Sequence, residues 1–266
     1  MSQHRVWWGV LITILWLMTP QVSTVSVAET VNPPTVLITG SNRGIGLGLA
    51  RAYAEAGWQV LATCRNPAGA AELKALAKHY PLVKIESLDV TDADGIAALA
   101  DKLADRPIDV LINNAGIIGN PRTQTWGNLD IEQYQDVLAV NTIGPLLVAE
   151  AFLPHLRLGQ QKKILNVSTS EASFGADRGP ARIPFYRSSK AALNMLMLNY
   201  AKMAAQEGIA VGLANPGPVD TDMMKGVNMP LRSVELAAVE LIAIVDQLDV
   251  DNSGTFWDYD GSVLAW

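Results

Sequence analysis

Cysteine is nearly absent from this chain. Its 266 residues include one, Cys64, so an intrachain disulfide is excluded. Histidine is almost as scarce: three copies lie far apart, and no spacing suits a metal site. Only 17% of the residues are charged, the net charge is −6, and there is no basic run, so nothing suggests nucleic-acid binding. Repeats and low-complexity segments are also missing. Against these absences stands a hydrophobic content of 49%, which marks a packed globular chain rather than a disordered one. Beyond its N-terminal segment, the chain has the length of one domain with a large core.

Residues 1–28 differ in character. His4 and Arg5 precede an apolar run, Val6 to Met18, which Pro20 ends, and no charge occurs between Arg5 and Glu29. Ser26-Val27-Ala28 puts small residues where a signal peptidase would cut. The segment reads as a signal peptide. Its apolar core is shorter than the ~20 residues of a spanning helix, but an uncleaved anchor associating with a membrane through residues 6–18 is a second reading. A meaningless extension from a mis-assigned start codon is a third.

From Thr35 onward, short apolar runs alternate with segments of helical spacing. Strands are predicted at 36–38, 59–63, 83–88, 109–112, 163–167, 209–213 and 254–257. Helices are predicted at 44–56, 70–79, 92–104, 131–156, 185–207 and 233–248, with Pro145 bending or breaking the long fourth one. This alternation implies an α/β fold: a doubly wound parallel sheet of about seven strands with helices on both faces, spanning residues 33–266.

Thr39-Gly40-Ser41-Asn42-Arg43-Gly44-Ile45-Gly46 follows the first strand and opens the first helix. Gly40 lets the chain turn sharply, and Gly44 and Gly46 let backbone approach a pyrophosphate at a helix N-terminus. A carboxylate ending the second strand would bind the ribose hydroxyls of NAD. Cys64 stands there instead, followed by Arg65, and Arg43 lies in the glycine-rich loop. Two guanidiniums and no carboxylate suit a 2′-phosphate, so the expected cofactor is NADP(H). Asp89-Val90 is placed beside the adenine, and Asn113-Asn114-Ala115-Gly116 lets a cofactor lie against backbone. Dependence on NADPH favours a cytoplasmic location, which an export signal would oppose.

Tyr186 and Lys190 are four residues apart, on one face of a predicted helix. A nearby ammonium favours the phenolate and lowers the tyrosine pKa, so the phenol can give or take a proton at a carbonyl or alcohol oxygen. Lys190 can also bond the nicotinamide ribose. Ser168-Thr169-Ser170 offers hydroxyls to hold the substrate oxygen, and Asn141 is placed to hold a water linked to Lys190. Ile117 to Trp126, Met223 and Met224 are expected to wall an apolar substrate pocket.

In these motifs the chain resembles the short-chain dehydrogenase/reductase superfamily, from about Pro33 to Trp266. The resemblance rests on Thr39 to Gly46, Asn113 to Gly116, Asn141, Tyr186-x-x-x-Lys190 and Asn215-Pro216-Gly217-Pro218-Val219-Asp220-Thr221-Asp222. The stretches Asn141 to Pro145, Tyr186 to Lys190 and Gly254 to Trp266 are similar to the branch of C-factor and sniffer-type carbonyl reductases. The resemblance implies a single Rossmann-type domain and an NADP(H)-dependent carbonyl reductase or alcohol dehydrogenase. Tyr186 would be its proton donor, Lys190 its partner, Pro216 and Gly217 part of the cofactor site, and Val219 and Thr221 contacts of the nicotinamide amide. It also implies a homodimer or homotetramer paired through two long helices. The chain departs from the family at the catalytic serine. Alignment on Asn166-Val167 puts Thr169 there, whereas counting back from Tyr186 favours Ser170; Thr169 is taken first, with Ser170 open. The rival reading is a dinucleotide-binding signalling or regulatory protein with little turnover; a membrane-anchored reductase is another.

Overall fold

In this computed structural model, His4, residues 32–175 and residues 182–266 are described. Apart from His4, the expected signal peptide or anchor lies outside those residues. Among the described residues, no helix is long and apolar enough to cross a membrane.

In chain order the elements are β1 (Thr35–Ile38), α1 (Gly44–Glu55), β2 (Gln59–Cys64), α2 (Ala71–His79), β3 (Val83–Ser87), α3 (Ala93–Lys102) and β4 (Val110–Asn113). A small hairpin follows, β5 (Gln124–Thr125) and β6 (Asn128–Leu129). Then come α4 (Ile131–Leu138), α5 (Gly144–Ala151), α6 (Leu153–Leu158), β7 (Lys163–Val167), α7 (Pro184–Ala204), β8 (Ala210–Ala214), α8 (Val234–Gln247) and β9 (Phe256–Trp257). Seven strands form one parallel sheet in the order β3-β2-β1-β4-β7-β8-β9. The doubly wound sheet expected from the alternation is therefore present. The last strand is shorter than expected.

Period-two alternation along β1 sorts the two layers. Val36 and Ile38 face Leu49, Tyr53 and Leu241 on one side, with α1, α2 and α8. Leu37 faces Phe152, Leu193 and Met197 on the other, with α3, α5 and α7. Each such fully buried side chain contributes about 1.5–3 kcal/mol of transfer free energy. This anchors α7, the helix bearing Tyr186, along its inner face. Asp109, buried just before β4, accepts backbone N–H bonds from Thr35, Gln160 and Gln161, tying the N-terminal edges of β1 and β7 to β4.

The expected long helix over 131–156 is interrupted, and not by Pro145. Ala139–Ile143 is wound as a π-helix between α4 and α5, with Asn141 inside it. Pro145 instead lies in the first turn of α5, where its missing N–H costs no hydrogen bond. A second break falls at Phe152, where α6 takes over.

The chain reverses its direction across the sheet between β1 and β4. That reversal opens a crevice at the carboxyl edge, where ligands of doubly wound sheets bind. Asn114 closes its floor: its side-chain amide donates to the carbonyls of Thr39 and Gly40, and the Thr39 hydroxyl accepts the Asn114 and Ala115 N–H groups. A β-carbon on Gly46 would lie 2.3 Å from the Gly40 carbonyl oxygen and 2.5 Å from Asn114 Nδ2. Gly46→Ala is therefore expected to cost about 1–3 kcal/mol through overpacking. Urea denaturation reads this directly, and an unchanged midpoint would show the loop to be looser than described.

Candidate active site

The glycine-rich turn sits at that crevice. Gly40 (φ +69°) and Gly44 (φ +54°) both take left-handed backbone, which favours glycine. Arg43 is the N-cap of α1, yet its side chain makes no capping bond and the first turn holds no acidic residue. The leading N–H groups of a 12-residue helix thus remain available, at the positive end of its dipole. These residues fit a pyrophosphate. Asn42 and Ile45 are half-buried in the same turn.

At the end of β2, Cys64 is buried and Arg65 is exposed. No carboxylate occupies either position. Arg43, expected to serve a 2′-phosphate, is paired here: its Nη1 lies 3.1 Å from Asp222 Oδ2. Asp89 caps the turn after β3, accepting from the Thr91 N–H and hydroxyl, and Val90 is buried beside Gly144. Ala115 and Gly116 line the crevice after β4. Asn113 does not: it is buried and donates to the Pro145 carbonyl and Asn166 Oδ1. Alternation along β4 carries the signal for this, because Val110 and Ile112 face one layer while Leu111 and Asn113 face the other. Pro216 and Gly217 follow β8. Val219 forms a parallel bridge with Arg232, and Thr221 lies so close to the first loop that a β-carbon on Gly44 would be 3.2 Å from its methyl.

Tyr186 and Lys190 occupy successive turns of α7, and the Thr169 hydroxyl is near enough to the Tyr186 phenol to favour its ionised form. Ser170 begins a short 3-10 turn whose N-cap is Thr169. Lys190 is buried, and its Nζ donates to the Val167 carbonyl at 2.7 Å. The expected lowering of the phenol pKa by this ammonium is not seen. Burial pushes Tyr186 up to about 12; the Thr169 hydroxyl opposes the rise and Glu171 adds to it. Burial also pushes Lys190 down to about 8. The phenol is therefore fully protonated at neutral pH, and the amine keeps most of its charge.

Asn141 is fully buried in the π-helix. Its Oδ1 accepts the Ile117 N–H at 2.8 Å, and its Nδ2 donates to the Ile117 carbonyl at 2.8 Å and to Ser189 Oγ at 3.0 Å. Both hydrogens of its amide are thus spent on protein. A β-carbon on Gly116 would lie 3.3 Å from Asn141 Oδ1 and 3.7 Å from Lys190 Nζ, so these three residues share one corner.

Several contributors escaped the sequence reading. Glu171 pairs with Arg182 at 2.7 Å and lies 3.6 Å from Arg187. Ser168 donates to Asn194 at 2.6 Å, one turn beyond Lys190. At the far end of the chain, the carbonyls of Ala265 and Trp266 accept from Ser173 Oγ and the Gly175 N–H, while Trp266 stacks on Phe256. This holds the segment just after Thr169 against the end of the sheet. Gln124 to Trp126, from the expected wall, line a cavity of about 840 Å³ together with Phe174, Phe185 and Ser188. Pro184, Ser188 and Ala191 face it, a different side of α7 from Tyr186 and Lys190, and Met223 and Met224 lie outside its lining.

The depressed Lys190 pKa has a stability consequence. Between pH 8 and its ordinary value near 10.5 the unfolded chain binds the proton more tightly, so this residue destabilises the fold below pH 8 and the penalty fades as pH rises. Lys190→Met is expected to melt above the wild type at pH 7, with the gap closing by about pH 10. A gap that is constant across that range would contradict a buried ammonium.

Four likenesses to known proteins bear on this site. A family description for short chain dehydrogenase matches residues 34–231. The structure of an NADPH-bound carbonyl reductase from chicken fatty liver superposes with a TM-score of 0.80 at 35% identity, covering 88% of this chain and 100% of that one. Carbonyl reductase Sniffer of D. melanogaster superposes with a TM-score of 0.81 at 31% identity and the same coverage. C-signal of Myxococcus xanthus is 34% identical over 172 residues, 64% of this chain and 99% of its own length. With the glycine-rich turn, the Tyr186–Lys190 pair and the parallel sheet in place, the chain belongs to the short chain dehydrogenase family.

Proposed function

We propose that this protein is an NADP(H)-dependent carbonyl reductase. The observation that carries the reading is the gathering of a protonated phenol, a nearby hydroxyl and a buried ammonium, Tyr186, Thr169 and Lys190, at the carboxyl edge of the sheet. A binding protein has no need of that set, which supports the reductase over a signalling role. The uncapped N-terminus of α1 supports a bound pyrophosphate, and Arg43 and Arg65, with no carboxylate ending β2, support a 2′-phosphate.

When bound, the reduced nicotinamide supplies the hydride. The residues of the chain manage the oxygen and its proton. Thr169 donates a hydrogen bond to the substrate carbonyl oxygen and orients it beside Tyr186. As the carbonyl carbon gains the hydride, negative charge grows on that oxygen, and the Tyr186 phenol gives it its proton. The phenolate left behind is stabilised by the Lys190 ammonium and by the Thr169 hydroxyl, and a solvent proton restores it. A phenol held at about 12 favours this direction, since it is present as the acid at neutral pH. Asn141 and Gly116 hold the corner in which the ammonium sits.

NADPH oxidation over a panel of aldehydes, ketones and quinones tests the reading. Tyr186→Phe is expected to lower turnover by about 10²–10⁴-fold while NADPH affinity stays nearly unchanged. Thr169→Val should lose most of the activity and Ser170→Ala should keep it. The opposite ranking would transfer the role to Ser170, and full activity in Tyr186→Phe would remove the mechanism altogether.

A further inference from the structure

Resting on the NADP(H) reading above, we propose that Asp222 is a specificity-determining residue whose carboxylate competes with the cofactor's 2′-phosphate for the Arg43 guanidinium. By holding Arg43, it reduces the preference for NADPH over NADH.

The two residues come from loops that touch. Arg43 caps α1 in the turn after β1, and Asp222 opens the short 3-10 turn Asp222–Met224 beyond β8. Thr221, its neighbour, lies within van der Waals reach of any β-carbon placed on Gly44. Arg43 Nη1 lies 3.1 Å from Asp222 Oδ2, and Asp222 Oδ1 also pairs with Lys225. The Asp222 carboxyl is held below its ordinary pKa by Lys225 and then Arg43, so it is a full anion at neutral pH. One carboxylate is thus shared between two cations, and one of these is the guanidinium that the glycine-rich turn offers to a 2′-phosphate.

A phosphate engages a guanidinium best through its two-pronged face. Asp222 already occupies Nη1, one end of that face. A dinucleotide carrying the 2′-phosphate must displace the carboxylate, and the lost ion pair is subtracted from its binding free energy. A dinucleotide without the phosphate leaves the pair intact. By linkage, the same coupling ties the loop after β8 to the phosphate at the other end of the cofactor. The pair is exposed, so the effect is bounded: removing the competing carboxylate should tighten NADPH binding by about two- to fivefold.

The test is a fluorescence titration of NADPH and NADH into the full chain, using wild type, Asp222→Asn, Arg43→Ala and the double variant. Asp222→Asn should tighten NADPH about two- to fivefold and leave NADH unchanged. In the Arg43→Ala background the same substitution should have no effect. An unchanged NADPH-to-NADH ratio in Asp222→Asn overturns the proposal. So does an equal gain in the Arg43→Ala background, which would assign the effect to direct repulsion by Asp222 or to a freed Lys225. Failure of the cofactor reading is a separate outcome: wild type would bind both dinucleotides equally and Arg65→Ala would weaken both alike, and the proposal would fall with it.

Discussion

Asn141 is the side chain on which the arrangement of the site depends. Its single amide bonds both backbone groups of Ile117 and the hydroxyl of Ser189. It therefore fixes the loop after β4, the π-helix that contains it and the helix carrying Tyr186 and Lys190. Truncation would leave the half-buried Ile117 N–H and carbonyl without this partner, at up to about 1–3 kcal/mol each. The π-helix is the geometric consequence: one extra residue in the turn aims the amide inward, where a regular helix would carry it around the axis.

Around that anchor, the site sets burial against charge. Tyr186 and Lys190 are both pushed toward their neutral forms, the phenol to about 12 and the amine to about 8. Such opposed, perturbed groups in a crevice suit proton transfer to a forming alkoxide better than structural ion pairing. The surrounding contacts limit how far either group can move. Lys190 is held by the Val167 carbonyl, Ser168 by Asn194, and the Ser173–Gly175 segment by the backbone of Ala265 and Trp266. The end of the chain thus helps hold the strand end that bears Thr169, even though it contributes no reacting group.

Much of this was legible in the sequence where one residue type has one physical meaning. The Val36-Leu37-Ile38 run and the glycines that follow it permit little except a buried strand turning into a helix N-terminus, and both are found. Tyr186 and Lys190 needed only helical spacing to be placed together. The interruption of the helix at Ala139–Ile143 could not be read, because a π-turn alters hydrogen-bond register without altering residue types, and Pro145 drew attention to the wrong position. The choice between Thr169 and Ser170 was open because consecutive hydroxyls are chemically alike; in the structure Thr169 bears on the phenol's pKa, while Ser168 donates to Asn194. The pairing of Arg43 was not legible because Asp222, its partner, lies far along the chain and meets it only through packing of the two loops. The phenol's pKa went the other way from expectation because burial, which spacing does not reveal, raises it, with Glu171 adding to the rise and Thr169 opposing it.

The most direct test of the central claim is the fate of the hydride itself. Purified protein would be incubated with NADPH carrying deuterium at nicotinamide C4, in separate samples labelled on each face, together with a carbonyl substrate. The account predicts deuterium on the carbinol carbon of the product from one of the two samples, in step with cofactor oxidation. Cofactor oxidation that leaves no label on carbon from either sample would contradict it, since the electrons would then have reached some acceptor other than the carbonyl poised at Tyr186.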